Sequence, residues 1–192
     1  VTNNHILPFL ESLPMPFELK VEGKSVLDKN IYSVKIGYGN VKIYMWSQMH
    51  GNESTTTKAI VDFLAFLNTN TKEAIQILDS FTFYIIPILN PDGAEAYTRV
   101  NANQIDLNRD SVDLSQPESQ ILRKCFDEFK PDFAFNMHDQ RTLFAAGHQN
   151  IPATISFLAP SYNIETEIND IREKAMQVIC EMNEEVSKYI PN

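Results

Sequence analysis

A three-layer α/β/α sandwich with a mixed, largely parallel central sheet is the fold this sequence predicts, and three observations predict it. Short runs of nearly pure apolar and β-branched residues, Phe81–Leu89 (FTFYIIPIL) above all, suit strands buried on both faces. These runs alternate with segments whose apolar residues recur at helical spacing, the pattern of an α/β rather than an all-β domain. Polar, turn-forming residues follow the runs abruptly, at His50, at Asn90–Gly93 and at His138. Sites in α/β folds lie beyond the carboxyl ends of the strands, so three such endings point to one shared site.

Taken in order, residues 1–30 read as an irregular opening segment with an apolar patch at Ile6-Leu7 and Phe9-Leu10 and prolines at 8, 14 and 16. Ile31–Ile36 and Val41–Trp46 read as strands joined by the turn Gly37-Tyr38-Gly39-Asn40. Ser54–Leu67 is predicted helical, because Ala59, Ile60, Phe63, Leu64 and Leu67 share a face. The Phe81–Leu89 strand stops at Asn90-Pro91-Asp92-Gly93, a turn sequence, and residues 94–110 read as irregular. A helix starts with Ser115 as N-cap and Pro117 in its first turn. Asp132–Met137 is a third buried strand and delivers His138, Ala153–Leu158 is a further strand, and a last helix spans about 165–189.

The 192 residues suit a single domain with a sizeable core. A formal charge of −9 opposes phosphate backbones, and no basic stripe overrides it, which argues against nucleic acid as a partner. No run approaches the roughly 18–20 apolar residues of a membrane span. The chain opens Val1-Thr2-Asn3-Asn4, without an initiator Met or a signal-peptide pattern, as a processed or excised segment would. Cys125 and Cys180 fall at apolar helix positions and read as buried free thiols.

The chemistry-bearing residues sit at the strand ends. His50 and Glu53, three apart across a strand end and a helix start, can point at one ion, with Gly51 and Asn52 allowing a tight turn between them. His138 is a third candidate, since FAFNMHDQ sets a polar group directly after an apolar strand. Two imidazoles and one carboxylate leave a fourth zinc position open for water, as catalytic sites do, and zinc lowers the pKa of that water from 15.7 toward roughly 7. Arg99 and the Asn108-Arg109 pair supply donors suited to a developing oxyanion and to a carboxylate; the bland alternative pairs these arginines with Asp106 and Asp110 at the surface. His5 reads as a surface residue, His148 as a loop residue, and Tyr44 and Trp46 as core.

MHGNES at 49–54, NPDG at 90–93, TRVNANQIDLNRD at 98–110 and NMHD at 136–139 occur in this order, and together they resemble the M14 zinc carboxypeptidases, in the branch with Asn before the ligand Glu. The resemblance covers roughly residues 20–160. It implies one Zn²⁺ held by His50, Glu53 and His138. It also implies that Arg99 polarises the substrate carbonyl and that Asn108 and Arg109 grip the terminal carboxylate of a peptide. The implied activity is hydrolysis of C-terminal residues by zinc-activated water.

Departures from the family pattern carry their own expectations. The family's general-base glutamate comes from well downstream of the third ligand. Glu165, Glu167, Glu173, Glu181, Glu184 and Glu185 lie on or beside the last helix and read as its solvated face. The base is therefore expected outside this chain, and the chain is expected to be an incomplete catalytic domain with little activity alone. His138 is followed by Asp139-Gln140-Arg141 rather than small residues. Two other readings remain open: an amidohydrolase resembling aspartoacylase and succinylglutamate desuccinylase, and a non-catalytic zinc- or carboxylate-binding module.

Overall fold

The computed structural model describes residues 1–139 and 154–190. The chain divides into two compact units, Val1–Asp139 and Gln140–Asn192. The first unit is built from α1 (Asn3–Ser12), β1 (Glu18–Lys24), β2 (Asn30–Gly37), β3 (Val41–Trp46), α2 (Thr55–Leu67), α3 (Lys72–Ser80), β4 (Phe81–Ile86), α4 (Pro91–Ala96), α5 (Pro117–Phe129) and β5 (Phe133–Asn136). Its strands form one sheet in the order β1-β2-β4-β3-β5. β3 runs parallel to β4 and β5, while β1–β2 and β2–β4 are antiparallel, so the sheet is mixed in even measure.

Side chains that alternate along the strands feed two cores, one on each face of the sheet. Val34, Ile36, Phe83 and Ile85 pack with Ile6 and Leu10 of α1 and Ile60, Leu64 and Leu67 of α2. Ile31, Tyr44 and Ile86, from the opposite face, pack with Cys125, Ile121 and Leu122 of α5. Helices on both sides of one sheet make the three layers expected from the strand–helix alternation. Among the described residues no helix is long and apolar enough to cross a membrane.

Several local expectations change. The opening segment contains a helix and an edge strand, and α3 fills the stretch before β4. Asn90-Pro91-Asp92-Gly93 begins a helix rather than a turn: the Asn90 side chain caps Gly93 N–H and Pro91 occupies the first turn. Gln116, not Ser115, is the N-cap of α5, because Ser115 donates its hydroxyl to Asp110. In the second unit the strand expected over Ala153–Leu158 is absent from 154–158. An apolar run becomes a strand only where a partner takes its backbone hydrogen bonds, and none of these residues has one. The last helix, α6, spans Asp170–Val186 and has no buried residue, so Cys180 is exposed where a buried thiol was expected.

On the α5 face, Glu22 of β1 is a carboxylate inside the core. It accepts hydrogen bonds from Tyr84 at 2.5 Å, Ser33 at 2.7 Å and Lys20 at 2.9 Å, with the Cys125 thiol at 3.5 Å. Burial alone raises its pKa, but the bonds from Tyr84, Lys20 and Ser33 outweigh it and hold the carboxyl below its usual range. Burial, with Glu22 adding to it, pushes the Cys125 thiol up to about 12. A folded pKa below the unfolded one stabilises the fold above the unfolded value of about 4.3, and that stability is lost as pH falls through the folded value. Glu22→Gln is therefore expected to cost about 1–3 kcal/mol at pH 7 and to flatten the acid limb of stability below about pH 5. Denaturant unfolding from pH 3 to 7 measures both; an unaltered acid limb would show that Glu22 titrates alike folded and unfolded.

Candidate metal centre

The turn that presents His50 and Glu53 is fixed from both sides. β3 ends at Trp46, and the chain keeps pairing beyond it through Ser47 N–H to Ile86 O and Asn90 N–H to Gln48 O. Gln48 adopts a left-handed conformation at φ 45°. Its buried amide donates to Gly51 O at 2.7 Å, and its carbonyl accepts from the Thr57 hydroxyl of α2. Glu53 N–H closes the turn on His50 O at 3.0 Å, which brings the two side chains to one side. Asn90 holds Met49 O from α4.

His138, just beyond β5, meets this turn. His50 Nδ1 lies 2.9 Å from one Glu53 carboxylate oxygen and His138 Nδ1 lies 2.8 Å from the other. The imidazole centroids are 4.7 Å apart. One donor atom from each of the three residues falls within 4.8 Å of the others, and this is the group among the described residues with the spacing to hold a metal ion.

The outer contacts fix the electrostatics. His50 Nε2 faces Asp106 Oδ1 at 3.0 Å. Donating that proton to Asp106 turns the lone pair of a neutral Nδ1 onto the Glu53 carboxylate. Either a second proton on the ring or a cation between the two resolves this contact. Arg99 donates to Glu53 at 3.2 Å and to Asp106 at 3.1 Å. Burial raises the Glu53 pKa, but hydrogen bonds from His138 and His50 outweigh it and hold the carboxyl well below the usual range. Asp106 is also held low, burial being offset by His50, the Asn108 N–H and Arg99. A carboxylate with two imidazoles is a donor set that fits zinc.

Asp106 was missed as a site residue. It reaches His50 because the preceding loop is folded by buried Asn101, whose side chain accepts from Asn103 and Ile105 N–H and donates to Gln116 and Glu118. Asp110, offered as a surface partner for Arg109, instead accepts from Ser115 and Gln116 N–H. Arg109 is exposed and donates to the Asn108 carbonyl. The Asn108 side chain meets Asn136, two residues before His138, at 3.4 Å. His5 is exposed; His148, Gln140 and Arg141 lie outside the described residues.

The sequence model of the zinc carboxypeptidase family, peptidase M14, matches residues 8–180. The chain belongs to this family. A probable carboxypeptidase 2 of Arthroderma benhamiae is 29% identical over 143 residues, covering 69% of this chain and 26% of that protein. Carboxypeptidase M of Mus musculus is 29% identical over 173 residues, covering 76% and 39%. The chain spans about a quarter of the fungal relative's length. The metallo-carboxypeptidase of Burkholderia cenocepacia superposes with a TM-score of 0.64 at 23% identity, over 71% of this chain and 39% of that one, which establishes a shared fold.

Proposed function

We propose that this M14 family member is part of a metallocarboxypeptidase that removes C-terminal residues from peptides, with His50, Glu53 and His138 holding one zinc ion. The observation that carries the proposal is the convergence of these three donors beside Arg99. Zinc bound there supplies a Lewis acid with an open coordination position. Arg99 sets a guanidinium, braced by Asp106, at the edge of the cluster, where it stabilises negative charge on the substrate carbonyl oxygen. Asn108 and the exposed Arg109 take the terminal carboxylate, which makes the reaction exopeptidic. Membership in this family favours peptide over N-acyl amino-acid substrates.

Catalysis also needs a proton acceptor. Among the described residues around the cluster, Glu53, Asp106 and Asp139 are already engaged by histidines, Arg99 and backbone amides. Ligand binding is therefore a cleaner test than turnover. Zinc is expected to bind at one equivalent, and the loaded chain is expected to bind a free-acid dipeptide in preference to its amide in calorimetry. Arg109→Ala should weaken free-acid binding by about 1.5–3 kcal/mol, roughly tenfold to a hundredfold, and leave the amide unchanged. Equal affinity for acid and amide in the parent chain would remove the carboxylate grip from the proposal.

A further inference from the structure

Asp139 directly follows the candidate ligand His138, and its contacts give it a task. α2 begins without a cap of its own: Ser54 is the N-cap residue, lies in the helical region at φ −99°, ψ −5°, and makes no side-chain capping bond. The first amides of a helix need acceptors, and a carboxylate suits that positive end. Asp139 provides the acceptor from 84 residues away. Its carboxylate accepts from Thr55 N–H at 3.0 Å and from Thr56 N–H at 3.2 Å. Its own N–H donates to Glu53 at 3.3 Å. The same junction is tied again where the Thr56 hydroxyl meets Met137 O at 3.4 Å and Ser47 at 2.7 Å.

We infer that Asp139 is a positioning residue for the metal centre: by capping α2 from the β5 strand end, it fixes the separation of Glu53 and His138. Glu53 lies two residues before Thr55 and His138 one residue before Asp139, so the capping bonds close a short loop containing both donors. Without them, the junction keeps only the longer Thr56–Met137 O and Asp139 N–H–Glu53 contacts beside the ligand pair itself. The ligand pair must then be ordered by the ion itself, which lowers affinity. Asn retains the oxygen that accepts both amides and discards the charge, which separates capping from long-range attraction of the cation.

This inference rests on the proposed metal site, and the test separates the two. Zinc affinity is measured by competition with a chromophoric chelator in the parent chain, His50→Ala, Asp139→Ala and Asp139→Asn, with hydrogen exchange of the Thr55 and Thr56 amides in the metal-free proteins. Asp139→Ala is expected to weaken zinc about 10–100-fold, the range for groups that orient metal ligands, and to speed exchange at both amides. Asp139→Asn should stay within a few-fold of the parent in both. If His50→Ala abolishes binding while Asp139→Ala leaves affinity unchanged, Asp139 is only a helix cap and the inference is overturned. If Asn weakens zinc as much as Ala, charge rather than capping matters, and it is overturned as well. If His50→Ala binds zinc like the parent, the site assignment itself fails.

Discussion

His138→Ala is expected to weaken zinc binding by more than a hundredfold, beyond the about 10–100-fold typical when a group that merely orients a ligand is lost. The imidazole contributes one of three donors, and among the described residues no other His, Cys, Asp or Glu forms such a three-donor group with His50 and Glu53. The proper comparison is Asp106→Asn. That change leaves all three donors in place and removes only the charge facing His50 Nε2, so its loss should stay within about 10–100-fold. His50→Ala should resemble His138→Ala. The ordering of the three losses, measured by chelator competition at fixed pH, is the informative result. A parent-like affinity in His138→Ala would mean that zinc binds elsewhere. A loss in Asp106→Asn equal to that in His138→Ala would mean that Asp106 is itself a ligand.

The parts of this protein that were legible in the sequence are those whose environment is uniform. β3 and β4 sit inside the sheet, so their sequences are apolar and their existence could be read directly; β5 is apolar as well, but among the described residues it is an edge strand with three of four side chains exposed, not the buried strand its sequence suggests. β1 was not legible: ELKVEGK is an edge strand with mostly exposed side chains, and its one buried residue is Glu22, held by tertiary hydrogen bonds rather than by apolar character. α3 did leave a signal, since Thr71 accepts from Ala74 N–H and Ala74, Ile77 and Leu78 share a face; a short helix followed at once by a strand is easily absorbed into its neighbour. At the site, the ordered motifs named His50, Glu53 and His138 because those positions carry the recognisable spacing. Asp106 and Asp139 have roles that exist only through contacts 56 and 84 residues apart in the chain, and no local pattern encodes such a contact.

Gly51→Ala is the substitution expected to damage fold and site together. A β-carbon at Gly51 would stand 1.9 Å from the Gly93 carbonyl carbon and 2.3 Å from Ala94 N, both backbone atoms of α4. A flexible side chain could yield to such an intrusion, but this backbone cannot move freely. Asn90 caps Gly93 N–H at 2.8 Å and holds Met49 O at 3.2 Å, so α4 is tied to the segment that carries the new methyl group. Gly93 has no slack either: a β-carbon there would lie 2.5 Å from Asn90 Nδ2 and 2.7 Å from Val100 O. Overpacking typically costs 1–3 kcal/mol, and with backbone on the receiving side the upper end, about 3 kcal/mol, is expected. For a chain of this size that lowers the unfolding midpoint by roughly 6–12 °C. Because Gly51 lies between His50 and Glu53, the strain is relieved by moving the ligands, so zinc affinity should fall further than in Asp106→Asn. Thermal unfolding of the metal-free protein and chelator competition on the same preparation check the two effects. A midpoint indistinguishable from the parent would show that the His50–Glu53 turn can leave α4 without cost, and that the close approach of the two glycines is not what holds the ligand pair.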